Sequence, residues 1–549
     1  MKSKVLKEYI YAVTTGAFLA LSFPPAIFPN LVFVAFLPLF SALEDRSWKN
    51  SFLLVYLSFF IYHAGANWWV GSWSKETDPY LMISGIALAI GHPFFLMVPI
   101  VIFGIIRRKF GIISYWLFPF VWVAFEYAHG LGDLSYPWLS IGYSQITNLI
   151  LAQQADIWGV FGISFWIVQI NVIFWFIAID YADFSKTAKN KWHYFRQKGF
   201  IILAPALVFL FMIPLLYGLY SFKKYEHELI SANNKSIRIA IVQPAINPWD
   251  KWSNKALGMI HKHKFLEDSL RKASGDYDLS IWSETAITYM GMDFNFKHNF
   301  DNFLYWIDNG HTPLVTGFTD IVCYDSKKTA PITARKFIYD STKYYDAFNS
   351  AVIINPHSGS NVRMYHKTRL TPFSERIPYA EYMKFLSKLI EWQVGISSWQ
   401  KGEGQKIMYA DIKGDTVKIA VIICIESIYS DYVNKFTDLG AEILVIITND
   451  AWYDHTPGPA QHFAIAQMRA IENRRYIARC ANTGVSGFIQ PNGDKLLILP
   501  QYKSIATVAN VPKLKGKTIY AKVGDIVPVM ASVITLLSLL LSVIFRKKL

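Results

Sequence analysis

Cys424 ends the run Lys-Ile-Ala-Val-Ile-Ile-Cys (418–424), and Glu426 follows two positions later. Glu284 lies in Ile-Trp-Ser-Glu-Thr, and Lys367 in Tyr-His-Lys-Thr-Arg-Leu-Thr-Pro-Phe-Ser-Glu. A thiol, a carboxylate and an ammonium are the groups that acyl transfer through a thioester requires. The thiol becomes a nucleophile when a base or a nearby cation raises its thiolate fraction. Glu284 would accept the thiol proton and Lys367 would stabilise the tetrahedral oxyanion. The amide N–H of Ile425 would be the second oxyanion donor. Taken singly, each residue has a plainer explanation. A Cys that ends an apolar run is usually a small core hydrophobe, and charges after strands usually sit on the surface.

Glu284 and Lys367 are 83 positions apart, and Lys367 and Cys424 are 57 apart (367 − 284 and 424 − 367), so only the fold can bring them together. Each follows a strand-like run. Strands are predicted at 237–242, 279–282, 314–318, 351–355, 419–423 and 443–447, with helical stretches at about 254–273, 430–439 and 457–478 between some of them. Continuous apolar strands flanked by helices imply sheets buried on both faces, hence a layered α/β sandwich. Cys323, Cys424 and Cys480 lack any CxxC spacing, so no zinc cluster is expected; acyl transfer through a thioester itself requires no cofactor or metal. Cys323 and Cys480 read as non-catalytic.

The chain has 549 residues, 53% of them hydrophobic, with 18 Trp, 31 Tyr and 40 Phe, a composition that points to a large membrane-embedded part. Seven apolar segments are predicted to cross the bilayer as helices, at roughly 8–23, 26–43, 52–71, 81–106, 112–129, 156–180 and 199–221, and an eighth at roughly 526–545. The first reads as an uncleaved helix, not a signal peptide, because no small-x-small site precedes the Phe-Pro-Pro turn. The net charge of +14 forms no single patch, which argues against nucleic acid. Lys2, Lys4 and Lys7, then Arg46 and Lys49, then Arg107, Arg108 and Lys109 fall on alternate connections. Lys186, Lys189, Lys191, Arg196 and Lys198, and finally Arg546, Lys547 and Lys548, continue the alternation; Lys75 is the exception. The positive-inside rule then puts both termini in the cytoplasm and the long polar stretch outside. The expected division is a membrane domain (1–221), an extracytoplasmic domain (222–525) and a last helix with a basic tail (526–549).

The ordered Glu, Lys-x-x-Leu-x-Pro-x-x-Glu and Cys-x-Glu segments resemble the nitrilase superfamily. Eight membrane helices around such a domain look like the apolipoprotein N-acyltransferases. Tyr136-Pro137-Trp138, Gly142-Tyr143-Ser144-Gln145 and Asn449-Asp450-Ala451-Trp452-Tyr453 are similar to that narrower family. So are Gly458-Pro459-Ala460-Gln461-His462, the 469–475 run and Asn482-Thr483-Gly484-Val485-Ser486. The resemblance implies a multi-pass α-helical membrane domain with a nitrilase-like αββα sandwich inserted between helices 7 and 8.

It also implies a function. The Cys424 thiolate attacks a fatty acyl ester of a membrane phospholipid, and the α-amine of a diacylglyceryl-cysteine lipoprotein resolves the thioester. Both partners are lipids, the enzyme is expected to be a monomer, and its place is the bacterial inner membrane with the catalytic domain on the periplasmic side. By position, Glu284, Lys367 and Cys424 match the family triad, Glu375 a second active-site Glu, and Glu426 the acid after the nucleophile. Asn349 and Trp252 resemble residues that shape the pocket, with Trp249 competing for the place of Trp252. Tyr143, Trp452 and His462 are further substrate-binding candidates. Two departures stand out: Ile425 occupies the position of a family Tyr, and His129 in Glu126-Tyr127-Ala128-His129-Gly130 that of a family Arg.

A membrane-anchored amidase, in which water resolves the thioester, is the competing enzyme. A scaffold or transporter with an inactive outer domain is the third reading. The 379–399 stretch has apolar residues at helical spacing and reads either as a lipid-facing arm or as a core-packed amphipathic helix. His92, in Gly-His-Pro-Phe, reads as a neutral imidazole that satisfies a carbonyl near a proline kink.

Overall fold

The computed structural model describes residues 2–44, 48–73, 79–187, 191–231, 236–248, 251, 256–288, 297–310, 312–331, 333–337, 342–359, 362–382 and 399–544. The N-terminal part is helical: Lys2–Ser22, Leu37–Leu43, Trp48–Asn67, Pro79–Phe110, Phe118–His129, Ala155–Thr187 and Lys198–Ser231 are its principal helices. Leu81–His129, Ala155–Lys186, Lys198–Glu226 and the C-terminal Ile526–Ile544 are long and apolar enough to cross a bilayer. The segment expected at 26–43 is not one helix. It breaks into a 3-10 turn, Pro29–Val34, and the seven-residue helix Leu37–Leu43. Pro29 and Pro38 each stand where a new helix begins, because proline lacks the N–H that continues an existing one.

Among the described residues, thirteen strands follow: β1 (Ser236–Gln243), β2 (Leu279–Trp282), β3 (Leu314–Tyr324), β4 (Arg335–Lys336), β5 (Tyr344–Ile354), β6 (Arg363–His366) and β7 (Met408–Ile412), then β8 (Asp415–Ile423), β9 (Ile443–Thr448), β10 (Ile477–Ala481), β11 (Gly487–Ile489), β12 (Lys495–Ile498) and β13 (Ile505–Pro512). One sheet has the order β13-β1-β2-β3-β5-β4, with β6 also on β5; the other runs β12-β11-β10-β9-β8-β7. Alternation along β1 shows how the layers form. Ile239 and Ile241 join the core shared with the second sheet, while Val242 faces a separate core under the Ala256–Ser274 and Lys297–Gly310 helices. The helices Ser430–Asp438 and Gly458–Asn473 contribute Val433, Phe436, Phe463 and Met468 to the shared core. The outcome is the αββα sandwich expected from the sequence.

The helix expected at 457–478 stops at Asn473. Arg474 adopts a left-handed backbone (φ 47°), which caps the helix and lets the chain enter β10.

The sandwich and the membrane helices share one buried apolar cluster, which runs from Leu19 through Ile163 to Ile446 and Ala531. Polar ties cross the same boundary. Gln461 accepts from the indoles of Trp69 (2.9 Å) and Trp138 (2.8 Å) and donates to the Ala66 carbonyl (2.7 Å). Arg474 donates to Asp156 Oδ2 at 2.6 Å. The sandwich is therefore seated on the helices and held by both of its ends, through Lys198–Ser231 before β1 and Ile526–Ile544 after β13.

Candidate active site

Three strand ends converge. Glu284 follows β2, Lys367 follows β6 and Cys424 follows β8. Lys367 Nζ lies 3.1 Å from Glu284 Oε1 and 2.8 Å from Glu375 Oε1. Asn349, on β5, donates through Nδ2 to the same two oxygens at 2.8 and 3.0 Å. Glu375 Oε2 accepts from the Thr371 N–H at 2.8 Å. All of these side chains are buried, so each charge is matched by a neighbour in a medium that screens little. Burial works to lower the Lys367 pKa, but the Glu284 and Glu375 carboxylates outweigh it and hold the ammonium charged well above the ordinary lysine range. Burial likewise works to raise Glu375, and Lys367 keeps it below the usual carboxylate value.

Cys424 stands on an elbow. Its φ is +51°, a left-handed conformation that costs a non-glycine residue about 1–3 kcal/mol and persists where the surroundings enforce it. One contact holds its carbonyl: Ser427 Oγ donates to it at 2.8 Å, and His462 Nε2 lies 2.9 Å from the same hydroxyl. His462 is held by Asp450 Oδ1 (2.9 Å), and Asp450 Oδ2 accepts from Arg479 (2.8 Å). Burial, then Arg479, lower the His462 pKa, so the ring is neutral. Burial, then the Glu284 carboxylate, push the Cys424 thiol well above its ordinary range, against the pull of Lys367. The resting sulfur is therefore a thiol, and a nucleophilic attack by it would need a base.

Glu426 plays a different part from Glu375. Its carboxylate accepts from Tyr365 OH (2.6 Å), the Thr368 N–H (2.8 Å) and the Ile423 N–H (2.8 Å). These bonds tie the start of the elbow to the segment that carries Lys367.

The remaining candidates are dispersed. Tyr143 is buried and donates to the Ile428 carbonyl at 2.9 Å. His462 lies behind the elbow. Neither lines the open space beside Ile425. Trp452 lies half-buried in the turn Asp450–Tyr453. Trp252 and Trp249, and 383–398 of the suggested arm, lie outside the described residues.

That open space is a cavity of about 450 Å³ between the sandwich and the helix Pro79–Phe110. Ile425, Phe373, Tyr453, Tyr136 and Trp138 line it together with Leu81, Ala87, Leu88 and Phe95. Ile425, the departure beside the nucleophile, supplies apolar wall where an aromatic was expected. His129, the other departure, is also on the wall and pairs with His92 through their Nε2 atoms, 3.2 Å apart. His92 thus meets a second imidazole and not the carbonyl expected near Pro93.

Lys251 escaped the sequence reading. It is fully buried, and its Nζ donates to the Glu284 carbonyl at 2.7 Å. No motif marks it; only its fold position does.

The Cys424 sulfur, an Asp450 oxygen and a His462 nitrogen lie within 4.8 Å of one another, close enough to share a cation. Asp450, however, is already bonded to His462, Arg479 and Thr448, and the Arg479 guanidinium disfavours a second positive charge there. The group reads as a polar brace.

Residues 15–173 match the family described as the apolipoprotein N-acyltransferase N-terminal domain, and residues 238–523 the one described as carbon-nitrogen hydrolase. The chain is 33% identical over 536 residues to the apolipoprotein N-acyltransferase of Chlorobaculum tepidum, which covers 95% of this chain and 94% of that protein. It is 27% identical over 529 residues to that of Geobacter metallireducens, covering 95% and 92%. Among solved structures, a carbon-nitrogen hydrolase from Helicobacter pylori G27 is similar at 15% identity and a TM-score of 0.36, over 51% of this chain and 90% of that one. With a nitrilase-like sandwich, apolar membrane helices and relatives matched almost end to end, the chain belongs to the apolipoprotein N-acyltransferase family and is an acyltransferase.

Proposed function

We propose that the protein transfers a fatty acyl group from a membrane phospholipid to the α-amine of a diacylglyceryl-cysteine lipoprotein, through a thioester on Cys424. In the first half, Glu284 takes the thiol proton as sulfur attacks the ester carbonyl. The carbon–oxygen bond to glycerol breaks, and Glu284 returns the proton to the departing lysophospholipid alkoxide. In the second half, the amine attacks the thioester, Glu284 takes an amine proton, and the released thiolate recovers it. Two of the three Lys367 N–H groups are occupied by Glu284 and Glu375, which leaves one, with the Ile425 N–H, for the oxyanion.

The observation that carries this reading is an apolar cavity lined by Ser374 and Ile425, the chain neighbours of Glu375 and Cys424, and walled partly by a membrane helix. A site for a small soluble amide would not need that wall. The alternation of basic connections supports a periplasmic position for the sandwich, and the complete triad within one chain supports a monomer.

Enzyme incubated with phospholipid vesicles should gain one fatty acyl mass on Cys424, and a diacylated lipopeptide should remove it as a triacylated product. Release of free fatty acid without any triacylated product would sink the transferase reading and favour the amidase.

A further inference from the structure

In and behind the apolar wall of the cavity sits a cluster of polar side chains that the triad does not use. His63 ends the Trp48–Asn67 helix together with Asn67, His92 lies in Pro79–Phe110, and His129 closes Phe118–His129. The rings of His63 and His92 are 4.8 Å apart, centre to centre. Asn67 Nδ2 donates to Tyr136 OH at 2.7 Å, and Tyr136 lies against His92 at 5.5 Å. His92, His129 and Tyr136 line the same cavity as Ile425, the residue next to the nucleophile.

The pair His92–His129 fixes its own proton inventory. Two Nε2 atoms 3.2 Å apart make a hydrogen bond only if one is protonated and the other is not. His92 Nδ1 is then an unused donor or an unused acceptor. Among the described residues it has no partner, and neither have His63 Nδ1 and Asn67 Oδ1. His63, Asn67 and His92 are all at least nine-tenths buried. Of these three residues His92 lines the cavity and the other two lie behind it; unmatched polar atoms in such apolar surroundings are costly, and such groups are typically functional.

We propose that this cluster binds the glycerol-ester segment of a lipid substrate, a deepening that rests on the function proposed above. The ligand chemistry follows from what the wall offers. It presents hydrogen-bonding groups without a fixed charge, and no Lys, Arg, Asp or Glu is among the described residues lining the cavity. A phosphate would call for a cation; ester carbonyls and ether oxygens call for neutral donors. A lipid with one acyl carbonyl at Cys424 carries its second ester on the same three-carbon glycerol, and Ile425, next to Cys424, lines the cavity that His92 and His129 also line. The phospholipid donor and the diacylglyceryl acceptor share this chemistry, so the cluster would serve either or both.

The test separates these sources. Acylation of Cys424 is followed by mass spectrometry, with dipalmitoyl phosphatidylethanolamine vesicles and, separately, with 4-nitrophenyl palmitate, which has an acyl chain but no glycerol. The double variant His92→Phe/His129→Leu should lose about tenfold more kcat/KM on the phospholipid than on the nitrophenyl ester, the scale of one hydrogen bond. His92→Gln, which keeps a donor and an acceptor, should recover most of the loss of His92→Phe. Enzyme acylated by the nitrophenyl ester is then offered a dipalmitoylglyceryl-cysteinyl peptide or an S-hexadecyl-cysteinyl peptide. A selective loss on the first peptide assigns the cluster to the acceptor, and a selective loss on the vesicles assigns it to the donor. Equal losses with and without glycerol, or no loss, overturn the proposal. So does activity removed by a chelator and restored by zinc, which would make the imidazoles a metal site. Wild-type enzyme that never acylates Cys424 would instead overturn the underlying function as well.

Discussion

The Lys367 ammonium bridges two buried carboxylates, with its shorter ion pair to Glu375 (2.8 Å) and its longer one to Glu284 (3.1 Å). Asn349 binds both carboxylates and fixes the separation between them. Glu375→Gln should lower kcat by about 10²-fold with little change in KM, because it loosens a donor used at the transition state. Its pH signature is also defined. The folded pKa of Glu375 lies below the ordinary value, so its stabilising contribution is present above about pH 4 and disappears as pH falls through the lower folded pKa. Melting curves between pH 3 and 6 should therefore be flatter for the variant than for the parent.

The Cys424 thiol is held up by burial and by Glu284, with Lys367 opposing. Iodoacetamide should alkylate it more slowly at pH 8 than it does a free cysteine. Removing the opposing cation in Lys367→Met should slow the reaction further. A faster reaction in that variant would contradict the assigned balance of charges.

Gly317 on β3 packs against the backbone of Glu284, the proposed base. A Cβ there would fall 2.2 Å from the Thr285 nitrogen and 2.7 Å from the Glu284 carbonyl carbon. Gly317→Ala should thus push Glu284 out of line, at a cost of about 10²-fold in turnover for a displacement near 1 Å. Single-turnover acylation would show the loss directly.

Lys251 should reveal itself through stability against pH. Burial lowers its pKa to about 7, against the opposing pull of Glu284, from an ordinary value of 10.5. Between those values the unfolded chain binds more protons than the folded one, so this residue makes stability rise with pH. The melting temperature of Lys251→Met, relative to the parent, should fall steadily between pH 7 and 9.

The junction between helices and sandwich depends on Arg474 and Asp156, a buried ion pair with Nη2 and Oδ2 2.6 Å apart. Deleting one partner strands the other charge, which typically costs about 3–5 kcal/mol. Arg474→Met should unfold at a clearly lower temperature in detergent, and Asp156→Asn should follow it.

Strand positions were legible in the sequence because both faces of the inner strands are buried, which leaves apolar runs such as 419–423 and 443–447. Glu284, Lys367 and Cys424 were legible as a set of strand-end residues, although their convergence depends on pairings between β2, β3, β5 and β6 and on packing of the sheet that holds β8 against them, neither of which periodicity encodes. Periodicity misled at 457–478, where an apolar pattern continues across Arg474 while the backbone changes hand. It misled again at 26–43, where composition suited a membrane helix but prolines restarted the chain. Lys251 and the pairing of His92 with His129 depend on segments remote in sequence, so nothing local announces them.

The sandwich hangs from the membrane helices at both ends, through Lys198–Ser231 and Ile526–Ile544. A single tether would let it swing; two tethers and a shared core hold its mouth at one height against the hydrocarbon. Encounters between site and lipid then occur in a layer instead of a volume. Turnover should respond to the mole fraction of substrate within the bilayer, and adding bulk buffer at constant lipid composition should leave it unaltered.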